Sequence, residues 1–235
     1  MVQMITSDAA EPNATIRVRF EKRGSLSYIA HLDLVRTFTK AIARAGIPVR
    51  FSEGFNPHPK FSFATAMSIG LESVYEFMDI RIDKNVDTEA AKIALSAALT
   101  EECSIEEVYF PSTKFTDILY SSYRIEIVTE GASEELAQKC HEALNAPAVV
   151  VFKRSKSGDK DTDIAPYIKE ASARYEDGVI RIEVVLNADN ATFLNPEYLV
   201  TYLKTALPIL NGSPLKEGYS VLRTGLYTAD MKLFR

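Results

Sequence analysis

From Phe51 to Lys60 the chain reads Phe-Ser-Glu-Gly-Phe-Asn-Pro-His-Pro-Lys, and this stretch gathers the chain's most specialised side chains. Pro57 and Pro59 fix their own φ, carry no N–H, and push Asn56 and His58 toward extended backbone. An imidazole is thereby held on a stiff segment, with Gly54 as the flexible joint. Phe55, Asn56, His58 and Lys60 supply a ring face, an amide, a titratable ring and a cation. Such a set suits a nucleic-acid strand, whose phosphates need cations and whose bases stack on aromatic faces. The same composition also suits a rigid turn that closes a sheet, with Phe55 as its apolar anchor.

Other candidates lie on either side. Arg36, Lys40 and Arg44 recur at four-residue spacing, which forms a cationic stripe on a helix. Lys153, Arg154 and Lys156 sit in a Gly/Ser-rich run that continues to Lys160, suited to a mobile basic loop. His31 falls in the first turn of the same helix as the stripe, where backbone donors favour anions. It is either an acid/base or anion-contacting group, or a packed histidine satisfied by Asp33 or backbone. Between Arg17 and Lys60 nine basic residues face three acidic ones, inside a chain of net charge −5. An acidic protein with one basic region is a candidate for local anion binding.

The elements that position these residues follow from periodicity. Ile16, Val18 and Phe20 alternate with charged residues as a half-buried strand does. Ser27 is placed as the N-cap of a helix from Tyr28 to Ala45, closed by Gly46 and Pro48. Leu34, Val35, Phe38, Ala41, Ile42 and Ala45 share one side of it, and Asp33, Arg36, Lys40 and Arg44 the other. Strands are expected from Phe61 to Met67 and from Tyr75 to Ile82, then a helix capped by Thr88, then a strand from Ile105 to Phe110. The order recurs in the second half: strand at Tyr123–Ile127, helix capped by Ser133, strands at Ala148–Phe152 and Val179–Leu186, helix after Pro196, strand at Tyr219–Tyr227.

The expected fold is α+β: two tandem ferredoxin-like (βαββαβ) units, antiparallel sheets with helices on one face. Residues 1–14 are a disordered lead-in, 15–116 the first unit with the main motif, and 117–235 the second, with a basic insertion at 153–174. Pro111 to Thr116 is the linker.

With 46% apolar and 25% charged residues, the composition is that of a globular protein with a sizeable core. No apolar run reaches the roughly 20 residues of a bilayer span, and Met1 to Ala14 lacks the pattern of an export signal, so a cytoplasmic protein without a membrane partner is expected. Cys103 and Cys140 are too few and too far apart for a disulfide framework or metal site, and read as core residues. Phosphate-loop, His-Glu metal and nucleophile-elbow patterns are absent. A binding protein is expected before an enzyme, with no metal and no cofactor of its own. One alternative is a metal-independent ribonuclease using His31 or His58, which requires two imidazoles, or an imidazole and a lysine, on one phosphate; the other is a protein-interaction module whose loop docks a partner enzyme.

His31-Leu32-Asp33-Leu34 with Arg36, Ala43 to Pro48, Ser52 to Pro59, Ser62-Phe63-Ala64, Gly70, Ser73 and Glu76 to Asp79 together resemble the bacterial radical-SAM-linked proteins, a domain of unknown function. Lys156 to Asp163 and Ile164 to Ile168 resemble that family's second motif. Its members occur beside, or fused to, radical S-adenosylmethionine (radical SAM) enzymes, often near genes for ribosome and RNA processing. The resemblance therefore implies an RNA-binding or substrate-presenting accessory, with a radical SAM enzyme and tRNA or rRNA as partners. The chain has no Cys-x-x-x-Cys-x-x-Cys, so the resemblance places the cluster on the partner. A likeness to RNA-cleaving CRISPR proteins exists at the level of the expected fold alone.

Overall fold

The computed structural model describes residues 14–65, 67–153, 158–189 and 191–235, and the backbone of 5–9. The chain divides into two compact units, Met1–Phe115 with Arg235, and Thr116–Phe234.

The first unit begins with β1, Ile5–Ala9, paired antiparallel with β5, Lys84–Val86. At residues 5–9 this departs from the structureless lead-in expected over 1–14; residues 1–4 and 10–13 lie outside the described residues. β2, Thr15–Lys22, pairs antiparallel with β4, Glu72–Arg81, on one side and with β6, Ile105–Tyr109, on the other. β3 is only Phe61–Phe63 and pairs antiparallel with β4. The strand predicted to Met67 stops early because the chain turns at Ala64–Thr65.

α1 spans His31–Ala45 and not Tyr28–Ala45. Ser27 does not cap it: its hydroxyl donates to the Gly24 carbonyl at 2.7 Å inside a 3-10 turn over Gly24–Tyr28. α1 opens after Ala30 without a side-chain cap and closes on Gly46 at φ 68°, a left-handed conformation that glycine adopts without strain. α2, Thr88–Ala98, is capped by Asp87, whose carboxylate accepts the Glu89 and Ala90 N–H groups, and not by Thr88 as predicted. The buried faces of both helices close one core over Ile16, Val18, Phe20, Met78 and Ile80. Phe38 sits 4.9 Å from Phe20 and 5.4 Å from Phe63 between ring centroids, the tilted geometry that aromatic quadrupoles favour.

The second unit holds β7, Tyr120–Val128; α3, Glu134–Leu144; β8, Val150–Lys153; and β9, Lys160–Asp163. It continues with β10, Ile168–Glu176; β11, Val179–Asn187; α4, Glu197–Ala206; and β12, Gly218–Tyr227. Ser133 caps α3 by accepting from Leu136 N–H at 3.2 Å. Its main sheet runs β10–β11–β7–β12, all antiparallel. The strand predicted at Ala148–Phe152 lies elsewhere, since β8 pairs with β9 in a separate two-stranded sheet. The sheet position falls to β10, a stretch the sequence reading left inside an insertion over 153–174. Asp177 and Gly178 turn β10 into β11 with positive φ at both positions, as a two-residue hairpin demands.

Among the described residues no helix is long and apolar enough to cross a membrane. Cys103 and Cys140 are buried and unbridged, and burial pushes their thiols up to about 12 and about 11.

Candidate nucleic-acid interface

α1 delivers the chain straight into the proline-rich loop. Past Gly46 the backbone returns along β4: Val49 bridges Ile82, Arg50 N–H donates to the Arg81 carbonyl, and Arg81 N–H to the Lys60 carbonyl. Phe51 bridges Pro59, and Ser52 N–H donates to the His58 carbonyl at 2.9 Å. The loop is thus laced to Ser52 and His58, and only Glu53 to Pro57 form the tip. Gly54 stands at φ 121°, and Phe55 is fully exposed, so it anchors nothing in this chain. Glu53, Asn56, His58 and Lys60 are exposed with it.

Ser52 and Asn56 both meet the His58 ring. The His58 amide donates to Ser52 Oγ at 3.0 Å, and Ser52 Oγ lies 2.9 Å from Nδ1. The Asn56 carbonyl lies 3.4 Å from the same nitrogen and can only accept, so Nδ1 carries the proton when it makes that bond.

The basic excess of residues 17–60 is mostly spent internally. Arg17 is buried and holds both oxygens of Asp79, at 2.7 and 2.9 Å. Lys22 is buried, with its ammonium donating to the Ser27 carbonyl at 3.2 Å. Arg19 faces Glu107, Arg23 faces Glu21 and Glu72, and Arg50 meets Asp83 at 2.7 Å. Arg36 pairs with Asp33 at 2.8 Å on the surface, an interaction worth about 0–1 kcal/mol that yields readily to a phosphate. Lys40, Arg44 and Lys60 are exposed and have no acidic partner among the described residues. Lys40 and Arg44 lie on the face of α1 opposite Leu34, Phe38, Ala41, Ile42 and Ala45.

His31 is the first residue of α1 and is exposed, with its ring 5.6 Å from Phe63 edge to face. Asp33 is engaged by Arg36 and not by His31. His31 lines a cavity of about 10 Å³ together with Lys22, Thr65 and Glu76, room for about one water. His58 is not among its lining residues. Lys22 and Glu76 are both buried; sequence reasoning counted Lys22 among the cations of the basic region and did not single out Glu76 as a buried charge. The signal was present: Lys22 continues the phase of Ile16, Val18 and Phe20, and Glu76 that of Met78 and Ile80, so alternation puts both on the core face.

In the second unit, the Lys153 ammonium lies 4.8 Å from the Tyr198 ring centroid and 5.8 Å from that of Tyr167. Burial, then the neighbouring Lys160 charge, lowers its pKa. That lysine is packed between rings; Arg154 and Lys156 lie outside the described residues. The main sheet of this unit carries a ladder of Arg124–Glu183 and Arg181–Glu126 pairs at 2.7 and 2.9 Å, which cancels its own charge. No group of His, Cys, Asp and Glu suited to a metal occurs among the described residues.

The class these features define is mixed α+β, largely antiparallel, with four helices among the described residues. Residues 15–196 match the family described as "Uncharacterized protein conserved in bacteria (DUF2344)", and the chain belongs to that family. No curated protein matches it. It is similar to a chain in the crystal structure of a Cbf5-Nop10-Gar1 complex, at 10% identity and TM-score 0.49, over 91% of this chain and 49% of that one. It thus spans about half the length of that protein. It is also similar to the crystal structure of an unknown protein from Galdieria sulphuraria, at 14% identity and TM-score 0.26, over 89% and 98% of the two chains. At these scores neither likeness bears on function.

Proposed function

We propose that the protein is an RNA-binding accessory that presents tRNA or rRNA to a radical SAM enzyme, with α1 and the proline-rich loop as its contact surface. One observation carries this: Lys40, Arg44 and Lys60 are exposed cations with no acidic partner among the described residues, in a region whose other cations are almost all engaged. The laced loop supports it by offering a fully exposed Phe55 for stacking and an exposed His58 imidazole. The radical SAM partner rests on the motif resemblance alone. The strand orders β6–β2–β4–β3 and β10–β11–β7–β12 are each a 4-1-3-2 arrangement, which supports the ferredoxin-like reading of both units.

Filter binding of tRNA and rRNA fragments to the full chain tests the contact surface. At about 0.7 per phosphate contact on a single strand, three cations contribute about 2 to the slope of log K against log salt, or about 20-fold between 50 and 200 mM. Lys40→Ala/Arg44→Ala/Lys60→Ala should remove that share. Binding that is absent at low salt, or has the same slope in the variant, overturns the proposal. Co-purification of the radical SAM enzyme that survives nuclease would show protein docking in place of RNA bridging.

A further inference from the structure

The main sheet of the second unit ends in an open strand edge. β10 is the end of the order β10–β11–β7–β12 and pairs on one side only, with β11. Across the two-residue turn Glu176 faces Val179, and the ladder alternates from there. Ser172, Arg174 and Glu176 therefore direct their backbone groups at β11, while Ala171, Ala173 and Tyr175 turn theirs outward. Asn145 marks that direction, since its Nδ2 donates to the Ala171 carbonyl at 3.1 Å. The carbonyl keeps a second lone pair, and Ala173 and Tyr175 meet no other backbone on this side among the described residues. Edge groups of this kind are a template for a further strand.

The side chains decide which strand fits. Glu170, Ser172 and Arg174 are exposed and share the sheet face opposite Ala171 and Ala173. Among the described residues Glu170 has no ion pair, and Arg174 has a surface pair with Glu176 at 3.4 Å. Laid antiparallel against a second β10 about Ser172, the strand sets Glu170 opposite Arg174 twice and Ala171 opposite Ala173 twice. The outward backbone groups of the alanines then meet in register. Moving the two-fold axis to Ala173 sets Glu170 against Glu176, and moving it to Ala171 loses both charge pairs. Opposite charges directly across a ladder attract and like charges repel, so one register is favoured. The bulge between Ile168 and Glu170 bounds the ladder.

We propose that two copies of this chain associate through β10, antiparallel, with the two-fold axis at Ser172. The ladder is short, Glu170 to Arg174 from each copy, so the dimer dissociates on dilution. It requires neither RNA nor the α1 surface.

Sedimentation equilibrium of the full chain over a range of concentrations tests this and should show a monomer–dimer equilibrium. Ala173→Pro removes an outward N–H without touching the β11 ladder and should abolish the dimer, with circular dichroism checking that the monomer stays folded. Glu170→Arg and Arg174→Glu place like charges in both cross-strand pairs and should each weaken the dimer by about tenfold, and the double exchange should restore it. Where the proline variant misfolds, the charge exchange decides. Across the axis the two Ser172 Cα atoms should lie about 4.5 Å apart, as in a non-hydrogen-bonded pair, which is within disulfide reach. Ser172→Cys should therefore form a disulfide dimer on mild oxidation and Glu170→Cys should not, Cys103 and Cys140 being buried. A monomer at every concentration, a dimer indifferent to these substitutions, no recovery in the double exchange, or equal cross-linking of Ser172→Cys and Glu170→Cys overturns the proposal.

Discussion

Asp79→Ala would leave the Arg17 guanidinium buried without its carboxylate. Arg17 has no exposed side-chain surface and Asp79 has 20%. Breaking a fully buried pair costs about 3–5 kcal/mol, because the surviving charge remains dehydrated. The Thr113 oxygens still serve Arg17, so about 3 kcal/mol is expected. Arg17→Met leaves the partly exposed Asp79 able to take up water and should cost less, about 1–2 kcal/mol. The double variant removes both charges and should be no worse than Asp79→Ala alone, giving a coupling of about 2 kcal/mol in a double-mutant cycle. Urea unfolding followed by far-ultraviolet circular dichroism is the assay, since the chain has no Trp. A cost below about 1 kcal/mol for Asp79→Ala, or strict additivity in the double variant, would refute the account of Arg17 as a sealed charge.

Three further outcomes follow from local chemistry. Cys103, whose thiol burial pushes up to about 12, should resist alkylation at pH 8 until denaturant is added; labelling in native buffer would contradict its burial. Glu217 accepts from the Thr129 hydroxyl, then from Glu130 N–H and Gly212 N–H, and these bonds lower its pKa. Its contribution is therefore present above the unfolded value of about 4.3 and lost as pH falls through the lower folded value. Glu217→Gln should lose stability at pH 7 and flatten the acid limb of a pH titration; an unchanged limb would refute the linkage. Ser52→Ala removes the hydroxyl that meets both the His58 amide and Nδ1 and should shift the His58 imidazole nitrogen signals; unaltered shifts would show that Ser52 does not hold the ring.

Much of the fold was legible because alternation and helical period report burial directly. Ile16, Val18 and Phe20 face the core as their spacing requires, and Ser133 caps α3 as its position promises. Helix starts were less legible where a second acceptor competed: the Gly24 carbonyl takes the Ser27 hydroxyl, and Asp87 outcompetes its neighbour Thr88. β10 escaped notice because it is an edge strand with no fully buried residue, and the alternation it carries rests on the small side chains of Ala171 and Ala173. The cations of residues 17–60 were countable, but their ion partners come from positions such as Asp79, Asp83 and Glu107. Distance along the chain hides such pairs, so local charge overstates what the surface offers.

The packing of Thr113 and Phe115 on Arg17 sets where the gene can be divided. A fragment ended at Phe110, the end of the last predicted strand, would strip the cover from a guanidinium that makes its bonds to Thr113. Truncation should therefore spare residues through Phe115, because what looks like a spacer in the sequence is the lid of the first half's polar interior.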